Sequence, residues 1–100
     1  MNITTNQLRK IDILVVEDSP TQAEQLKYLL EKRLYSVVIA MNGSHALKVL
    51  ETISPKIIIT DICMPEMDGY EFCRRVKAND SQTEIPVILL TSLSNPEDVI

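Results

Sequence analysis

The sequence predicts a single α/β domain with a parallel sheet covered on both faces. Three observations support this. Short apolar runs rich in β-branched residues alternate with longer amphipathic ones. The apolar runs lack the polar alternation of a half-exposed sheet, so both of their faces are buried. Strands joined in this way by helices pair in parallel, through right-handed crossovers. The length of 100 residues suits one domain, and 45% hydrophobic against 24% charged residues is an ordinary globular balance with enough apolar material for a core.

The elements follow in order. Ile11–Val16 reads as a buried strand ending at Glu17-Asp18. A helix starts next, with Ser19 as N-cap, Pro20 at the first helical position and Gln22 completing a capping box. Ala23, Leu26, Leu29, Leu30 and Leu34 continue it at helical spacing. Val37–Ala40 is a second short apolar run, and Asn42-Gly43 is a turn signal. Ala46, Leu47, Val49, Leu50 and Ile53 predict a second helix, stopped before Pro55 because the residue preceding proline avoids the helical region. Lys56–Thr60 is a strand apolar on both faces, closed by Asp61. After a loop with Pro65 and Gly69, Tyr70, Phe72, Cys73 and Val76 mark a third helix, for which Asp68 and Glu71 have N-cap and capping-box spacing. Ile85–Leu90 is a fourth strand, entered through Pro86 and ending at Thr91. Asn95-Pro96-Glu97-Asp98 has the character of a cap and acidic first turn of a fourth helix. The expected architecture is doubly wound, with flavodoxin-like strand order 2-1-3-4. Residues 1–10 form a polar N-terminal segment ahead of a domain spanning 11–100.

Composition excludes several classes of function. The net charge of −4 speaks against a nucleic-acid face. No apolar run approaches the ~20 residues of a membrane span, and the N-terminus has no apolar signal-peptide core, so a cytoplasmic location is expected. Two cysteines without C-x-x-C spacing and a single histidine argue against zinc and for reduced thiols.

In doubly wound folds the ligand site lies at the carboxyl ends of the strands. Glu17 and Asp18 end the first strand and Asp61 the third, which are neighbours in this order. Three carboxylates in one crevice repel one another, and a divalent cation relieves the repulsion. Hard oxygen ligands on a partly open site suit Mg²⁺, which keeps waters and accepts phosphate oxygens. Thr91, at the end of the fourth strand, could hydrogen-bond a phosphoryl group placed on Asp61. Plainer readings compete. Asp18 alone could cap a helix, Asp12 could face solvent at the start of an edge or partner a nearby charge, and Asp68, Glu71, Asp80, Glu97 and Asp98 suit caps and solvated faces. Nothing cationic nearby would activate Cys63, and His45 suits a helix surface.

Three stretches carry a family pattern: Ile-Leu-Val-Val-Glu-Asp-Ser-Pro (13–20), Ile-Ile-Ile-Thr-Asp-Ile-Cys-Met-Pro-Glu-Met-Asp-Gly (57–69) and Pro-Val-Ile-Leu-Leu-Thr-Ser (86–92). In order and spacing they resemble response-regulator receiver domains, and D-x-x-M-P-x-M-D-G after an apolar strand is the most specific part. The resemblance implies a regulatory phosphoacceptor rather than an enzyme. In it Asp61 takes a phosphoryl group from a sensor histidine kinase or phosphotransfer protein, in the presence of Mg²⁺. Asp18 would bind the metal directly, Glu17 through water and Cys63 through its backbone carbonyl. Thr91 would be the switch hydroxyl and Ser92 the small residue near the phosphoryl group. Met64 and Pro65 would shape the loop, and Gly69 would allow its turn.

The sequence also departs from the family pattern. The fifth strand with its lysine and the fifth helix are missing, and no Lys or Arg follows Lys77. The expectation is a fragment of a longer receiver, or a homodimer through the incomplete sheet edge or the fourth-helix face. A degenerate receiver that binds protein independently of phosphorylation is the competing reading. An aspartate-nucleophile phosphatase is disfavoured by Cys63 where a second aspartate is needed, and a flavin carrier by the acidic Glu17-Asp18 loop.

Overall fold

A computed structural model describes residues 8–91. Along the chain run β1 (Arg9–Val16), α1 (Pro20–Lys32), β2 (Val37–Ala40), α2 (Gly43–Val49), β3 (Ile53–Asp61), α3 (Gly69–Ala78) and β4 (Val87–Leu90). The four strands form one parallel sheet in the order β2-β1-β3-β4. The element set and the strand order are those the patterning predicts. The expected fourth helix at Asn95–Asp98 lies outside the described residues.

Alternation along each strand divides the core between the two faces. Leu14, Val16 and Ile58 join Ala46, Leu50, Phe72 and Val76, so this face is covered by α2 and α3. Ile13, Val15 and Val37 meet Leu26 and Leu30 of α1 on the other face. Both faces of β1 and β3 are therefore apolar, as their sequences require.

Several local expectations are corrected. Ile53 belongs to β3 rather than to α2, which ends at Val49, and Pro55 stands within β3 opposite Ile11. A helical pattern running into a strand keeps its apolar character, so periodicity alone misplaces the boundary. Asn42-Gly43 is a helix start rather than a free turn, because the Asn42 side chain accepts the His45 N–H at 2.8 Å. Ser19 caps α1 by accepting the Gln22 N–H at 3.3 Å, but its own N–H donates to the Glu17 carboxylate at 3.0 Å instead of closing a capping box with Gln22. Leu34 lies beyond the end of α1, at φ 69° and 92% exposed. Asp68 caps α3 by accepting the Glu71 N–H, while the Glu71 side chain turns to Arg74 and Arg75.

β1 is central, so Asp12 does not start an edge. Its carboxylate accepts the Ser36 N–H at 2.8 Å and lies 3.3 Å from Lys56 Nζ. This ties the middles of β1 and β3 to the start of β2, away from the Asp61 rim.

Candidate functional site

The carboxyl ends of the strands gather the acidic residues because the register of the sheet demands it. Val16 pairs with both Ala40 and Thr60, so Glu17 and Asp61 follow at the same level of adjacent strands. Asp61 is the last residue of β3 and pairs with Leu90 of β4, which puts Thr91 one step further along the same rim. Carboxylate oxygens of Glu17, Asp18 and Asp61 lie within 4.8 Å of one another. Glu17 and Asp61 are half-buried and Asp18 is exposed. Glu17, Gln22, Ile59, Asp61, Leu90 and Thr91 line one open cleft of about 340 Å³. Ser92 lies outside the described residues.

The electrostatics follow from this crowding. Partial burial pushes the Glu17 carboxyl above its ordinary range, and the neighbouring Asp18 and Asp61 carboxylates push it the same way. The Ser19 N–H opposes the shift, since it donates to the charged form. A group of three carboxylates this close, with one already strained toward its neutral form, fits a divalent cation coordinated by hard oxygens.

The loop after Asp61 is built tightly around it. The Cys63 N–H donates to Asp61 Oδ1 at 3.3 Å, and Cys63 itself is exposed. The Gly69 N–H donates to the Ile62 carbonyl at 2.9 Å and closes the loop. Within it, the Met67 N–H donates to the Pro65 carbonyl at 2.7 Å across Glu66, whose φ is 70°. This is a γ-turn with a positive-φ residue at its centre, a rare and strained arrangement. The positive φ therefore falls on Glu66, and Gly69 does not serve as the turn residue. No described glycine has positive φ, and Gly69 is needed for another reason: a Cβ there would lie 2.5 Å from the Asp61 carbonyl oxygen.

One residue of the site was not singled out from the sequence. Thr60 is fully buried, and its hydroxyl donates to the Asp61 carbonyl at 3.0 Å. A lone polar residue in the apolar run 57–60 was the available signal. Met67 is buried against Gly43, a contact that no sequence spacing announces.

A doubly wound sheet with three acids and a hydroxyl on one rim belongs to the class of α/β domains whose ligand site lies at the carboxyl ends of the strands, here with an oxygen-rich lining suited to a divalent cation. Comparison with known proteins narrows it. Residues 13–100 match the model of the response regulator receiver domain, and the chain belongs to that family. It is 36% identical to the response regulator protein GraR of Staphylococcus epidermidis over 90% of its own length, and spans 39% of that protein. The signal receiver domain of a signal transduction histidine kinase from Syntrophus aciditrophicus superposes with a TM-score of 0.78 at 52% identity, covering 89% of this chain and 67% of that one. The response regulator TrrA of Thermotoga maritima, solved in complex with Mg²⁺ and BeF, gives a TM-score of 0.75 at 33% identity, covering 87% and 72%. The chain is thus a receiver domain of two-component signalling, regulatory in itself. Among the described residues, no helix is long and apolar enough to cross a membrane.

Proposed function

We propose that Asp61 accepts a phosphoryl group from the phosphohistidine of a sensor kinase or phosphotransfer protein in the cytoplasm, and that this changes which partner the domain binds. The P–N bond of the donor breaks, a P–O bond forms on the Asp61 carboxylate, and the donor histidine leaves as the free imidazole. The observation that carries the reading is the clustering of Glu17, Asp18 and Asp61 oxygens within 4.8 Å, with Glu17 and Asp61 lining an open cleft. Asp18, Asp61 and the Cys63 carbonyl are the direct metal ligands in this reading, with Glu17 acting through water. Bound there, Mg²⁺ supplies charge neutralisation for the acids and for the transferred phosphoryl oxygens. The Cys63 N–H holds the Asp61 carboxylate in a fixed rotamer and leaves its second oxygen for attack. Thr91, on the same cleft, offers a hydroxyl to the new phosphoryl group, and Ser92 follows it in the chain. Drawing in Thr91 shifts the population of β4, and so the partner-binding surface.

Similarity to TrrA, whose structure holds Mg²⁺ and BeF, supports both the metal and the phosphoryl site. The test is incubation with Mg²⁺ and acetyl phosphate, followed by mass spectrometry. The expected result is a single phosphoryl mass gain that is lost with chelator and lost in Asp61→Asn. A gain that persists in Asp61→Asn would refute the assignment.

One observation favours a second reading, a receiver that binds protein without being phosphorylated. No cationic side chain lines the cleft among the described residues, and the Lys77 ammonium is engaged by the Thr83 and Ile85 carbonyls before the start of β4. No mass gain and no beryllofluoride binding by the full-length protein would select this reading.

A further inference from the structure

The loop that follows Asp61 is tied at its start to the Asp61 carboxylate and closed at its end by a backbone hydrogen bond, and its middle is packed by side chains. Between the Cys63 N–H···Asp61 contact and the Gly69 N–H···Ile62 bond lies the strained turn at Glu66. A non-glycine residue at positive φ persists only where its surroundings over-determine it. Here Met64 and Met67 flank the turn, and both are buried in the cluster formed with Ala46, Leu50 and Phe72. Met67 has a particular seat. A Cβ at position 43 would lie 2.7 Å from Met67 Sδ, 3.1 Å from Cγ and 3.3 Å from Cβ. The Met67 side chain therefore lies against the bare backbone of the first residue of α2 along its length. Swinging the sulfur aside would relieve the tightest contact, but Cγ and Cβ would still have to give by a few tenths of an ångström.

We propose that Gly43 and Met67 form a positioning contact through which the start of α2 sets the β3–α3 loop and, with it, the Cys63 carbonyl. A methyl group at position 43 pushes the Met67 stem and backbone outward. The displacement passes through the 2.7 Å Met67 N–H···Pro65 bond into the turn and toward Cys63. The coupling is reciprocal, so a partner that shifts the start of α2 changes the metal site, and metal binding changes α2. The part concerning the metal rests on the ligand assignment proposed above for the Cys63 carbonyl, while the loop contact itself does not.

The experiment compares wild type with Gly43→Ala, Met67→Ala and the double variant. Amide chemical shifts of Ile62 and Cys63 are recorded without metal, and Mg²⁺ affinity is measured by calorimetry. Gly43→Ala is expected to move both amides and to weaken Mg²⁺ binding about tenfold, the lower end of the loss when an outer partner of a metal site is removed. In the double variant the space left by Met67 accepts the methyl, so its affinity should match that of Met67→Ala alone rather than the product of the two losses. Unmoved Ile62 and Cys63 amides in a folded Gly43→Ala protein, or two losses that simply multiply, would overturn the proposal. Should Gly43→Ala fail to fold, Met67→Ala probes the same contact from the other side, and an unmoved Cys63 amide there is equally fatal. If the wild type takes up no Mg²⁺, the ligand assignment fails, and the amide shifts still decide the loop contact.

Discussion

Asp61 is held through its backbone as much as through its carboxylate. The Thr60 hydroxyl donates to its carbonyl, and Gly69 packs against the same oxygen with no room for a side chain. Gly69→Ala must displace either the Asp61 backbone or the start of α3. Urea unfolding is expected to show a loss of about 1–3 kcal/mol, the range for overpacking a tight site. At Glu17 the prediction concerns pH. Its folded-state carboxyl holds its proton more tightly than an unfolded glutamate does. The stability this contributes is fully present below the ordinary glutamate value and is lost as pH rises through the raised one. Metal-free Glu17→Gln keeps an oxygen for the Ser19 N–H and loses the titration. Denaturation across pH 4–8 should therefore show wild type falling relative to the variant above the ordinary glutamate pKa of about 4.3, with Glu17→Gln the more stable at neutral pH. The acids themselves were legible from the sequence because each stands at the end of an apolar run. Thr60 was not, and neither was the seat of Met67 on Gly43, since each depends on which backbone the side chain touches.

The end of α1 shows how far local rules reach at the level of elements. The Leu34 N–H donates to Glu31 and the Tyr35 N–H to Leu30, the two bonds of a Schellman ending. Its left-handed position is occupied by Leu34 rather than glycine, at φ 69° and almost wholly exposed. Leu34→Gly removes the Cβ strain and gives up almost no burial. It is expected to stabilise the protein by about 1 kcal/mol, read as a higher denaturation midpoint at unchanged slope. The apolar spacing 23-26-30-34 predicted a helix running through Leu34, and the helix instead ends at Lys32 with Arg33 as its cap. The α2–β3 boundary failed in the same way. Ile53 satisfies helical spacing from Leu50 and Val49, but pairing of Arg9 with Ile53 draws it into the sheet.

Metal binding should register in the stability of the whole molecule. The acidic rim exists only in the folded state, because it needs β1 and β3 in register. Mg²⁺ at about 100 times its dissociation constant should therefore raise unfolding stability by about 2.7 kcal/mol, seen as a higher Tm that chelation reverses. In Asp61→Asn at the same Mg²⁺ concentration the rise should shrink, because one ligand of the ion has lost its charge. Midway along the sheet, the Ser36 N–H first and Lys56 second hold the Asp12 carboxyl below its usual range. That contribution is present above the ordinary aspartate value and is lost as pH falls through the lowered one.

Residue order alone settled the α/β class, the four strands and their parallel pairing, and the placing of Glu17, Asp18, Asp61 and Thr91 at strand ends. Those features follow from apolar periodicity and from capping chemistry, which act over a few residues. Tertiary packing settled the rest: the closure of Glu17, Asp18 and Asp61 to within 4.8 Å, the intolerance of Gly69 for a side chain and the seating of Met67 on Gly43. The first and last are distances between segments far apart in the chain, and the Gly69 contact closes the loop back onto Asp61. Such distances are fixed by sheet register and close packing, for which no local pattern codes.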